Sequence, residues 1–80
     1  MTTYLDLDTE YQPGSVQVVD WSEPGETPTV VAELGNVTFD RHDHNVALID
    51  ADQLAARTGW FRSGDWEPNA DSYIATVVKS

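Results

Sequence analysis

The sequence predicts an α+β fold: a small single domain over residues 1–80, mainly antiparallel β-sheet of about five to six short strands, with one short helix near residues 51–58. Three observations predict it. Segments rich in Val, Ile, Thr and aromatic residues recur along the chain, separated by Pro, Gly, Asn and Asp, the punctuation of short strands. Only Asp50 to Thr58 combines helix-start chemistry with helical spacing. Size completes the argument. A chain of 80 residues folds to a surface of about 4,800 Å² from about 13,000 Å² when extended, which leaves room for one core.

Taken in order, Tyr4 to Tyr11 alternate: Tyr4, Asp6, Asp8 and Glu10 fall on one side of an extended segment, Leu5, Leu7, Thr9 and Tyr11 on the other. This reads as an edge strand whose charges discourage edge-to-edge pairing. Pro13 and Gly14 end it, and Ser15 to Trp21 (SVQVVDW) forms a second strand with apolar residues on both faces. In SEPGETP, Pro24 and Gly25 suit the central positions of a type II turn. TVVAELGNVTFDR reads as a hairpin turning at Gly35–Asn36, with Leu34 facing Val37, Ala32 facing Phe39 and Val30 facing Arg41. The polar loop His42 to Asn45 then returns the chain into a short strand, Val46 to Ile49.

The helix follows. Asp50 is placed to N-cap it, Gln53 sits at N3, Ile49 and Leu54 have hydrophobic-staple spacing, and Gly59 supplies the stop. Ala51, Leu54, Ala55 and Thr58 make a narrow face suited to close packing on a sheet. Trp60 and Phe61 come next, Ser63 to Asp65 turn towards Trp66, and Ser72 to Val78 (SYIATVV) closes the fold as a central strand. Residues 1–3 and 79–80 are expected to fray.

Fourteen acidic residues against four basic ones give a net charge of -10, yet 40% of the chain is hydrophobic, enough to support a core. The acids therefore belong on a folded surface, which repels phosphate and anionic lipid and attracts basic partners. Arg41, Arg57, Arg62 and Lys79 form no cluster that tracks a nucleic-acid backbone, so direct DNA or RNA binding is disfavoured. Without cysteine there is no disulfide framework or thiolate metal site, and MTTYLDLDTEYQPGS has neither a basic n-region nor an apolar h-region. No stretch has the length of a membrane span. A cytoplasmic location and no membrane partner are the expectation.

Chemistry-bearing motifs are sparse. RHDHN places His42, Asp43 and His44 together, two imidazoles and a carboxylate that can supply part of a weak metal site but need a further ligand. Ordinary turn chemistry explains the same residues. No nucleophile elbow or Gly-rich phosphate cradle accompanies Ser15, Ser22, Ser63 or Ser72, so no catalytic residues, cofactor or metal are assigned and the chain is read as non-enzymatic.

Asp6, Asp8 and Glu10 differ from the other acids in projecting from one side of a strand at intervals of about 6.8 Å. Trp66 lies between Asp65 and Glu67, an aromatic ringed by carboxylates, the composition of a hot spot for a basic protein. Asp6, Asp8, Glu10, Asp65, Trp66 and Glu67 are the expected protein-binding residues. The expected function is a small acidic interaction protein that binds a basic, nucleic-acid-binding type of protein as inhibitor, DNA mimic or adaptor. Its composition matches the small acidic DNA mimics of phages and mobile elements, without a shared motif. Two alternatives stand beside it: a salt-adapted domain acting through an apolar or oligomeric interface, and weak metal binding at His42–His44.

Overall fold

A computed structural model describes residues 2–21, 27–40 and 42–80. The elements are β1 (Thr2–Asp8), β2 (Gly14–Trp21), β3 (Thr29–Val37), α1 (Asn45–Arg57), β4 (Trp60–Arg62), β5 (Glu67–Asn69) and β6 (Ser72–Lys79). All the strand pairs are antiparallel, in the order β3-β2-β1-β6-β4, and β5 joins the same edge of β6 as β4. This is the expected small α+β domain, with its sheet curled into a half-barrel around one helix. The turn expected at Pro24–Gly25 and the side chain of Arg41 lie outside the described residues.

One face of the sheet packs against α1. Leu5 and Leu7 of β1 face Val18 and Val16 of β2, and Ala75 of β6 lies beside Leu5, all of them buried. Each fully buried Leu or Val contributes about 1.5–3 kcal/mol by leaving water. The helix meets this surface with Ala47, Ala51 and Ala55, a one-sided row of small residues at intervals of four that lets it lie close on the sheet. Leu48, Leu54, Trp60 and Trp66 close the periphery.

Four expectations change. The helix begins at Asn45, so the predicted strand Val46–Ile49 is its first turn and Asp50 lies within it instead of capping it. The deciding contact is tertiary: Ala47 is fully buried in register with Ala51 and Ala55, and one-sided burial outweighs the β preference of Val46 and Ile49. Asp43 Oδ1 accepts the Asn45 N–H at 3.0 Å, serving one of the unpaired donors of the first turn. Gly59 does end the helix, at φ +88°, just after Thr58.

No hairpin forms at Gly35–Asn36. A primed type I turn needs positive φ at both central residues, and here Gly35 has φ +138° while Asn36 does not. The strand runs straight through both, pairing Val37 with Gly14, Asn36 with Ser15 and Gly35 with Val16, while Glu33 pairs with Gln17 and leaves Leu34 as the extra residue of a bulge. Pairing along the whole of β2 places Ala32, Leu34 and Val37 under the helix, which the short hairpin would not.

Nor is β1 an edge strand. It lies between β2 and β6, so its acids line the outer face of the sheet and do not guard an edge. Of the ends expected to fray, Thr2 pairs with Trp21 and Lys79 pairs with Trp60, while Met1 lies outside the described residues. The closing strand β6 has partners on both sides, as its two-faced apolar pattern predicts.

Candidate functional site

Directly opposed residues of an antiparallel sheet share a face, so the pairing register identifies what the face away from α1 carries. Three successive rows cross it. The first holds Phe61 and Val78, opposed across β4 and β6, and Trp21 of β2. The second runs Thr76, Tyr4, Val19, Val30, and the third Glu67, Ile74, Asp6, Gln17, Glu33. Beyond the third row Asp8 lies beside Ser72, which pairs in turn with Asn69. The face thus passes from apolar and aromatic at one end to carboxylate and polar at the other.

At the apolar end, Tyr4 and Trp21 meet edge to face at 6.2 Å, and Phe61 and Val78 are about half exposed. At the acidic end, Asp6, Asp8, Glu10 and Asp71 surround a shallow depression of about 330 Å³. Glu10 lies beyond the strand, and its N–H donates to Asp8 Oδ1 at 2.9 Å. The 70–71 turn is held beside it by two bonds to the Asp71 carbonyl, one from the Thr9 N–H and one from its hydroxyl.

Asp6 occupies the centre of the acidic row. Its Oδ1 is shut off from solvent without a hydrogen-bond partner. Burial pushes its carboxyl above the ordinary aspartate value; Gln17, directly opposite, pulls it down, and the charge of Asp8 pushes it up. Glu33 and Glu67 lie two strands away on either side, about 10 Å at ordinary strand spacing.

The cations sit elsewhere. Arg62 is opposed to Val77 on the helix side, where its Nε reaches Asp52 Oδ1 of α1 at 3.0 Å and its guanidinium donates to the Gly64 carbonyl at 2.7 Å. Lys79 lies over the Trp60 ring at 5.0 Å, and its ammonium donates to the Thr58 carbonyl. Arg57 is on α1. Among the described residues, the outer face carries carboxylates and no cation.

The expected site residues divide accordingly. Asp6, Asp8, Glu10 and Glu67 gather at one end of the outer face, and Asp65, fully exposed in the β4–β5 connection, borders that face beside Tyr4, Glu67 and Ile74, 3.8 Å from the Arg62 guanidinium. Trp66 does not stand free: its indole packs against the helix-side core, with the ring N–H enclosed and unpartnered. The exposed aromatic of this region is Phe61. Glu33 and Asp71 join the acidic end without having been singled out; a hairpin at Gly35–Asn36 would place Glu33 opposite Thr38 instead of Gln17. Glu33 alternating with the apolar Ala32 and Leu34 was the signal for its face.

His44 works inside the fold. Its Nδ1 is bonded to the Tyr73 hydroxyl at 2.8 Å, and its ring stands edge-on to both Phe39 and Tyr73, so it joins the start of α1 to β6. His42 is exposed, and Asp43 serves the helix start. Among the described residues no three His, Asp or Glu side chains converge as metal ligands. No described helix is long and apolar enough to cross a membrane. Comparison with protein-family models, with curated proteins and with solved structures finds no match for this chain.

Proposed function

We infer that this chain is a small, non-enzymatic interaction protein whose outer sheet face binds a basic protein, blocking or recruiting it. One observation carries the reading: the described cations are withdrawn to the helix side, and carboxylates alone charge the outer face. Such segregation produces a one-signed field over that face, which raises encounter rates with a partner of opposite charge. The apolar end adds what charge lacks. Phe61, Val78 and Tyr4 offer anchors that exclude water beside the acidic row, the arrangement in which a few contacts carry most of the binding energy.

The partner is a folded basic surface with an apolar border, of the kind that nucleic-acid-binding proteins present. DNA mimicry is the more specific form of this reading. Duplex DNA carries one charge per about 1.7 Å of axis, and the carboxylates of the outer face are spaced at about 7–10 Å, so the face imitates the sign of a phosphate backbone more closely than its density. A cytoplasmic location belongs to the same reading, since the absence of cysteine suits a reducing compartment.

The test uses the wild-type chain and the triple variant Asp6→Asn, Glu33→Gln, Glu67→Gln, each immobilised and exposed to a host lysate over a salt series, with duplex DNA as competitor. Basic proteins are expected on the wild type, displaced by salt and by DNA, and absent from the variant. Basic proteins held equally by both would refute the face, and a captured set that is not basic would refute the partner class. A second reading has its own support, because Asp40, Asp43, Asp50 and Asp52 lie off this face. Salt adaptation predicts that molar KCl raises the melting temperature of wild type and triple variant alike, with no partner retained.

A further inference from the structure

A second surface lies on the opposite side of the molecule, where α1 and the chain leaving β3 do not close on each other. One hollow of about 490 Å³ is lined by Phe39, Asp40, Asp43 and Val46, and a second of about 310 Å³ by Val37, Asp50, Leu54 and Arg57; Thr38 borders both. Together they make a groove along the flank of the helix. From Val46 to Arg57 the helix rises about 16 Å, the length of about five residues of extended chain.

The first hollow is mainly apolar, the second is mixed, with Asn36 and Gln53 beside Val37 and Leu54, and the rim is charged in a pattern. Val37, Leu54 and Phe39 belong to the core or pack against it, and Val46 stands at the mouth 58% exposed, with Ile49 beside it at 56%. Such large exposure of two aliphatic side chains on one flank of a helix, three residues apart, is an unpartnered apolar stripe. Asp40 and Asp43 border the first hollow, Asp50 borders the second between them and Arg57, and Arg57 stands at the far end of the helix. Asp40 and Asp43 each give one oxygen to a nearby backbone N–H, of His42 and Asn45, which fixes both carboxylates at the rim.

We propose that this groove binds an extended peptide segment of a partner, one that sets an apolar side chain between Val46 and Phe39 and places Lys or Arg over Asp40, Asp43 and Asp50. Charge complementarity selects this occupant over a second copy of the chain, whose net charge of -10 opposes self-association and supplies few cations for three carboxylates. Arg57 sets direction: a carboxylate of the segment, from a side chain or its C-terminus, faces that end. The proposal does not depend on the outer face, which is formed by other residues.

A displayed library of random nonapeptides selected on the wild-type chain tests it. Enriched sequences are expected to hold an apolar residue flanked on one side by Lys or Arg. The variant Val46→Glu with Asp50→Lys should weaken a selected peptide at least tenfold, while the outer-face triple variant leaves its affinity unchanged. Because Val46 is exposed, the variant should fold, which circular dichroism checks; if it does not, amide shift mapping on the wild-type chain gives the same answer through changes confined to residues 36–40 and 43–57. No enrichment, enrichment without cations, or shifts centred on β1 and β6 would each overturn the groove. Concentration-dependent self-association abolished by Val46→Glu would assign it to a second copy.

Discussion

Replacing Asp6 by Asn should stabilise the fold at neutral pH, because it removes a charge, and not a polar group, from the middle of the sheet. The carboxylate is half-buried, its Oδ1 has no partner, and three other carboxylates share its face nearby. Asp8 is about 6.8 Å away along the strand and Glu33 and Glu67 about 10 Å across it. In water with 0.1 M salt their repulsion of Asp6 totals about 0.6 kcal/mol. Leaving a buried acceptor unsatisfied costs on the order of 1 kcal/mol. The amide removes the charge and can exchange hydrogen bonds with Gln17 opposite, so a gain of about 1–2 kcal/mol is expected at pH 7, worth several degrees in melting temperature for a domain of this size.

The pH dependence supplies the control. Because the folded value of Asp6 is raised, the folded state holds its proton over a range where the unfolded chain has released it. Through that group, stability is full below the unfolded value near 3.9 and is lost as pH rises through the raised folded value. Urea titrations of both proteins from pH 3 to pH 7 should show the variant's advantage appearing only as pH rises through this window. A variant less stable at pH 7, or an advantage unchanged at pH 3, would refute the placement of Asp6 as a half-buried carboxylate with an unpartnered Oδ1.

Three further outcomes follow from the packing. Leu7→Ala, at a side chain with no exposure between β2 and β6, should cost about 2–5 kcal/mol in urea denaturation. Gly14→Ala should cost about 1–3 kcal/mol, since a Cβ there would come 2.5 Å from the Asp8 carbonyl and 3.2 Å from both Leu7 and Phe39; the same change at Gly64 meets only the Thr76 side chain and should cost less. Tyr73→Phe removes the bond to His44 and should cost about 1 kcal/mol, with faster amide hydrogen exchange in the first turn of α1 and unchanged exchange in β2.

Much of the fold was legible because its signals are local. Leu5 and Leu7 alternating with Asp6 and Asp8 specify which side of β1 is buried, Gly59 ends the helix, and the two-faced apolar pattern of Ser72 to Val78 marks an interior strand. The misread elements are those in which local chemistry was overruled at a distance. Gly35–Asn36 has the composition of a hairpin turn, but the eight residues of β2 offered the longer pairing, and Gly35 serves a bulge instead. Val46–Ile49 prefers extended backbone, yet burying Ala47 beneath the helix drew it into α1. The acidic end of the site was half legible: Asp6 and Asp8 share a face through their own alternation, whereas Glu33 and Glu67 reach it only through strand order.

By itself the sequence determined the sign of the charge, the single core, the β-rich composition and the side of β1 that faces inward, because these depend on residue type and on a period of two. Tertiary structure decided where the charge acts. Placing β1 between β2 and β6 turned a presumed edge into the centre of an open face, and the pairing of β4 with the end of β6 drew Arg62 and Lys79 to the helix side. Which residues become neighbours across strands is set by the lowest free energy of the whole sheet and helix packed together, a quantity that no single segment contains.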